Sequence, residues 1–131
     1  MTLDMLLRGA YGANILILLP VVATLARPDS TATIFGPAVP ESPGLRLLVA
    51  ALWTGIMVAS ALGLFAPRAF AGVLVLQVVY KALWLGLFIL PLWRAEGAAA
   101  VPWDPVVPFA LIVLLWPLLI AALWRAGHWS V

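Results

Sequence analysis

Charged residues are so sparse along this chain that they divide it into long apolar runs. Residues 9–26 form an uncharged stretch of 18 between Arg8 and Arg27, and residues 47–66 a stretch of 20 between Arg46 and the Pro67-Arg68 pair. Residues 69–93 make 25 positions broken only by Lys81, and residues 106–124 make 19, ended by Arg125. About 20 apolar residues cross a ~30 Å hydrocarbon core as a helix. Inside lipid every backbone group needs an internal partner, which leaves helices or a closed barrel. The runs are continuous and rich in Leu and Ala rather than alternating, and that selects helices. The pattern predicts an all-α integral membrane protein. One domain, 1–131, forms a four-helix transmembrane bundle with spans at about 9–26, 47–66, 69–93 and 106–124. The first run ends in a passable cleavage signal, Thr24-Leu25-Ala26, but is longer than the roughly 7–15 apolar residues of a secretory leader, so it reads as a retained helix.

The connections differ in character. Residues 27–46 hold Pro28, Pro37, Pro40 and Pro43 and the polar run Asp29-Ser30-Thr31. The prolines argue against regular helix there, and the length lets this proline-rich loop fold over the bundle as a cap. Ala66-Pro67-Arg68 reads as a tight turn that makes the second and third helices antiparallel neighbours. Residues 94–105 carry Gly97, Pro102 and Pro105, with Trp103 and Trp93 suited to the membrane surface. Pro20 and Pro117 fall inside helices and free the carbonyls of Leu16 and Val113.

Composition narrows the classes. Hydrophobic residues are 66% and charged residues 9%, and mean hydropathy is +1.16. Soluble domains are nearer half apolar and a quarter charged. A soluble fold, a disordered chain and a nucleic-acid partner are all excluded on charge content. With no cysteine and one histidine, thiol chemistry and a metal cluster built from these ligands have no basis. His128, beside Trp129, reads as an interfacial residue, with ligation of a porphyrin as the alternative. No cofactor follows from the residues. Lys and Arg balance across the two faces, with Arg8, Arg68 and Arg125 against Arg27, Arg46 and Arg94. Four of the five acids lie on the loop face, so the expectation is cytoplasmic termini.

Two groups of residues stand out. In the second helix Ala51, Gly55, Ala59 and Gly63 recur every four residues, a small-residue ridge suited to close helix packing within the chain or between copies. In the third, Lys81 lies thirteen residues from both Arg68 and Arg94, about 20 Å from either end at 1.5 Å per residue. A lysine at that depth costs about 2.5–3.5 kcal/mol. Gln77, Lys81 and Trp84 share a face with Tyr80 beside them, and Asn14 of the first helix lies at a similar depth. Three readings follow. In the first, Lys81 is a register residue held by Asn14, Gln77 or the carbonyls of Leu16 and Val113. In the second, it belongs to a site for an amphiphile bearing an anion or carbonyl. In the third, it is a nucleophile able to form a Schiff base.

The segment LGLFAPRAFAGVLVLQVVYKALWL, Leu62 to Leu85, resembles the second and third helices of DoxX-like small bacterial membrane proteins. The Pro67-Arg68 turn and the Gln77, Tyr80, Lys81, Trp84 cluster carry the resemblance, over about a fifth of the chain. It implies a four-helix bundle of similar length and no single chemistry. The expected function is non-catalytic: binding a lipid-like or pigment ligand, or serving as an accessory subunit of a larger membrane complex. The alternative is a membrane enzyme or carrier that uses Lys81 on a lipid-like substrate. Membrane lipid, and other membrane subunits or further copies of the chain, are the expected partners, in a bacterial inner membrane.

Overall fold

The computed structural model describes residues 1–129 and contains, among them, helices and no strands. Helix α1 (Leu3–Leu25) leads through a five-residue helix α2 (Thr31–Phe35) to α3 (Pro43–Phe65). Helix α4 (Gly72–Trp84) passes through a π turn (Leu85–Ile89) into α5 (Leu90–Glu96), one continuous span of 25 residues. A 3₁₀ turn (Ala98–Ala100) precedes α6 (Trp103–Arg125). Four spans, α1, α3, α4–α5 and α6, are long and apolar enough to cross a membrane. The expected four-helix architecture is present.

Helices α1, α3 and α6 begin further out than the charge-free runs suggested, whereas the third span, Gly72–Glu96, is displaced three residues toward the C-terminus at both ends. Helix α1 starts at Leu3 because Thr2 caps it, its Oγ1 accepting from the Met5 N–H at 3.2 Å. That places Asp4 and Arg8 on the helix rather than before it. Asp4 pairs with Arg68 at 2.8 Å, and Arg8 Nε donates to the Leu64 carbonyl at 2.9 Å. Likewise α3 starts at Pro43, whose fixed φ suits the first turn, and so carries Arg46 inside its N-terminal end. Charges mark where the chain meets water, whereas helix ends follow caps and prolines. The expectation of no helix in 27–46 is also corrected: α2 fits in the space between Pro28 and Pro37, flanked by positive φ at Asp29 (56°) and Gly36 (82°).

Two antiparallel pairs make the bundle. Helix α1 lies along α3, from Arg8 opposite Leu64 to Leu25 opposite Arg46. Helix α4 lies along α6, and α1 also meets α6. Although a short turn joins α3 to α4, the two touch little, so the neighbour relation expected from the turn does not extend along the helices. Trp53 of α3 and Tyr80 and Trp84 of α4 instead border a common space.

The small-residue ridge of α3 does not act as a unit. At Gly63 the Tyr11 ring lies against the backbone so closely that a Cβ would stand 2.7–2.9 Å from its carbons. The Tyr11 hydroxyl runs on to donate to the Pro67 carbonyl at 2.6 Å. At Gly55 nothing lies within 4 Å of a Cβ, and Ala51 is exposed. Only the Gly63 end of the ridge is therefore an internal helix contact, because α1 supplies its one bulky ring there.

Candidate functional site: an aromatic cavity backed by a buried lysine

Pro91 shapes the site from below. It has no N–H, and its ring crowds the carbonyl four residues earlier, so the helical ladder widens ahead of it. The Leu90 N–H reaches back to the Leu85 carbonyl, a five-residue spacing. This π turn follows Trp84 directly and brings Trp84 and Phe88 into a stack at 5.8 Å and 28°.

Five rings surround one space. Phe109 of α6 makes edge-to-face contacts with Trp53 at 5.6 Å, Trp84 at 5.6 Å and Tyr80 at 6.5 Å. Phe35 of α2 closes the top against Trp53 at 5.8 Å and Trp84 at 5.9 Å. Tilted and edge-to-face pairs of this kind are each worth about 0.5–1.5 kcal/mol beyond area burial. Between α3 and α4 these rings, with Val39, Val49 and Leu52, line a cavity of about 390 Å³. That lies in the range of small-molecule sites, roughly 300–1,000 Å³. Leu52 on its rim is 53% exposed on the outer face of α3, so the cavity opens on the flank that faces lipid.

Behind the wall is Lys81, wholly buried at 0% exposure. Its Nζ donates to the Tyr80 hydroxyl at 2.5 Å and sits 4.3 Å from the Tyr80 ring centroid and 4.6 Å from that of Phe109. The hydrogen bond to Tyr80 and a cation–ring contact with Phe109, worth about 2 kcal/mol in a desolvated site, offset much of the cost of the depth. Lys81 thus points inward, as expected, but to other partners. Leu16 is 76% exposed on the far side of α1, and the Asn14 amide is already engaged. Among the described residues Tyr80 is its hydrogen-bond acceptor, and it does not itself border the cavity.

The five ligand-site candidates therefore separate into two groups. Tyr80 and Trp84 line the cavity, with Lys81 in contact behind them. Asn14 and Gln77 belong to a polar layer in the bundle centre. There Asn14 Nδ2 donates to Ser60 Oγ at 3.2 Å, and the Trp116 indole N–H is shared between Asn14 Oδ1 at 3.3 Å and Gln77 Oε1 at 3.2 Å. Among the described residues Gln77 Nε2 is buried without a partner. Phe35, Trp53 and Phe109 were not singled out in the sequence, and neither were Ser60 and Trp116. The available signal was Trp53 and Trp116 far from the ends of their spans, since tryptophan in membrane helices concentrates at the interfaces.

Besides the packing of Phe35, charged contacts fasten the start of the cap. Arg46, 6% exposed, donates from Nε to Glu41 Oε1 at 2.8 Å and from its terminal nitrogen to the Leu25 carbonyl at the end of α1. Glu41 Oε2 in turn accepts from the Thr31 N–H at 3.1 Å, holding the first turn of α2. The Thr31 side chain, then the Arg46 guanidinium, keep the Glu41 carboxyl below its ordinary range. Among the described residues no three His, Cys, Asp or Glu are grouped to hold a metal. No protein-family model, no curated protein and no solved structure matches this chain, so the reading of the site rests on its own geometry.

Proposed function

We propose that this multi-pass membrane protein binds an amphiphile in the cavity between α3 and α4, without catalysing its conversion. The observation that carries the reading is an aromatic-walled space of about 390 Å³ on the lipid-facing flank, with a tyrosine–lysine pair as its polar anchor. An apolar body fits among Trp53, Trp84 and Phe109, and its tail can remain in the bilayer. The polar end meets the Tyr80 hydroxyl. The bundle is of the kind the DoxX-like resemblance implies, and we place the termini in the cytoplasm of a bacterial inner membrane.

Purification in mild detergent followed by mass spectrometry of extracted lipids tests the reading. Wild-type protein is expected to carry a bound amphiphile in fixed ratio. Leu52→Trp, which fills the rim of the cavity, is expected to release it while leaving helix content unchanged. Retention of the same molecule by a folded Leu52→Trp protein would remove the cavity from the proposal.

A further inference from the structure

We infer that the cavity takes its amphiphile by a hydrogen-bond acceptor, a carbonyl or carboxylate oxygen, and disfavours one that ends in a hydroxyl or amine. The inference rests on the binding role proposed above and assigns Lys81 as the positioning residue that creates the preference.

A phenol carries one proton to donate and two lone pairs to accept. Lys81 Nζ donates to Tyr80 Oη, and the Phe109 ring, its centroid 4.6 Å away, holds the ammonium in that place. The phenolic proton is consequently turned away from Lys81. Among the described residues no acceptor is hydrogen-bonded to it. The other polar side chains on the wall are the indoles of Trp53 and Trp84, which can only donate, and that of Trp53 is directed at the second lone pair of the Tyr80 oxygen. The acids of the chain, Asp4, Asp29, Glu41, Glu96 and Asp104, all lie toward the ends of the spans or in the connections. No carboxylate therefore balances Lys81 at this depth, and the side-chain groups facing the ligand all donate. A carbonyl oxygen satisfies that wall and leaves nothing of its own unpaired. An alcohol can accept from Tyr80, but its own proton then lies in an apolar space without a partner, and such an unmade bond is costly.

The test is direct binding of a matched straight-chain series of one length, comprising alkane, methyl ketone, carboxylate, primary alcohol and primary amine. Native mass spectrometry or equilibrium dialysis of the full chain in detergent supplies the affinities. The neutral ketone separates hydrogen bonding from charge. Wild-type protein is expected to bind ketone and carboxylate roughly tenfold tighter than alcohol or amine. Tyr80→Phe is expected to abolish that ratio. In Lys81→Met one lone pair of the Tyr80 oxygen is released while Trp53 keeps the other, so alcohol affinity is expected to rise toward that of the ketone, and Lys81→Arg is expected to restore the discrimination. A folded Lys81→Met protein with the wild-type ratio would overturn the role of Lys81. Should that variant not fold, the wild-type series and Tyr80→Phe decide the question. Equal binding of ketone and alcohol by wild-type protein overturns the acceptor preference and leaves amphiphile binding standing. Failure of every chain to bind, the alkane included, overturns the binding role itself.

Discussion

At the scale of single residues, a few close approaches matter more than the patterns they belong to. The small residues of α3 form a regular ridge in sequence, yet the structure uses only one end of it. Gly63→Ala would set a Cβ against the Tyr11 ring, whose hydroxyl is tied to Pro67 and cannot retreat freely. Overpacking of this kind costs about 1–3 kcal/mol. Gly55→Ala meets open space and should instead gain slightly from helix propensity. Unfolding by titration with sodium dodecyl sulfate in mixed micelles checks the pair. Equal effects of the two substitutions would contradict the Tyr11 contact. Lys81 was legible for the opposite reason, since one ammonium within 25 apolar positions breaks the composition around it. Its partners were not legible. Residue counting gives depth along a helix axis but not azimuth, and Leu16 proved to be at a suitable depth on the wrong side of α1.

At the scale of elements, existence was readable and boundaries were less so. Four runs of apolar residues require four helices whatever else holds, because lipid leaves the backbone no alternative. Their ends depend on Thr2, Pro43 and the interfacial charges, which a charge-free window cuts away. The short helix α2 could not be inferred from four surrounding prolines; it exists because Glu41 and Arg46 fasten its start and Phe35 packs on Trp53 and Trp84. A pH dependence follows. The folded Glu41 carboxyl titrates lower than in an unfolded chain, so its contribution to holding α2 is full above the ordinary carboxylate range. It fades as pH falls through the lowered value. A cysteine introduced at Val39, in a chain with none of its own, reports the cap through its rate of thiol labelling. Relative to a cysteine on an unstructured peptide at each pH, labelling should accelerate in acid. In Glu41→Gln it should already be fast near neutrality and lose that acid response. An unaltered profile in Glu41→Gln would show that other contacts secure the cap.

At the scale of the whole molecule, the pairing of helices is what apolar sequence conceals best. Lipid is as apolar as leucine, so hydrophobicity does not choose which helices meet; packing and a few hydrogen bonds do. Here two antiparallel pairs, α1 with α3 and α4 with α6, meet at a polar layer in which Trp116 of α6 bridges Asn14 of α1 and Gln77 of α4. Asn14 extends the layer to Ser60 of α3, so all four spans contribute one residue. Hydrogen bonds between membrane helices average about 0.6 kcal/mol in double-mutant cycles. The Asn14→Leu and Trp116→Phe cycle should therefore show a coupling of about that size. Gln77 should behave differently. Its Oε1 shares a donor that Asn14 can use alone, and its Nε2 is buried with no partner among the described residues, so Gln77→Leu removes an unpaired donor together with half of a shared bond. Its expected effect on stability is close to zero, or a small gain. A loss from Gln77→Leu larger than that from Asn14→Leu, in the same detergent titration, would mean that Gln77 rather than Asn14 joins the two pairs.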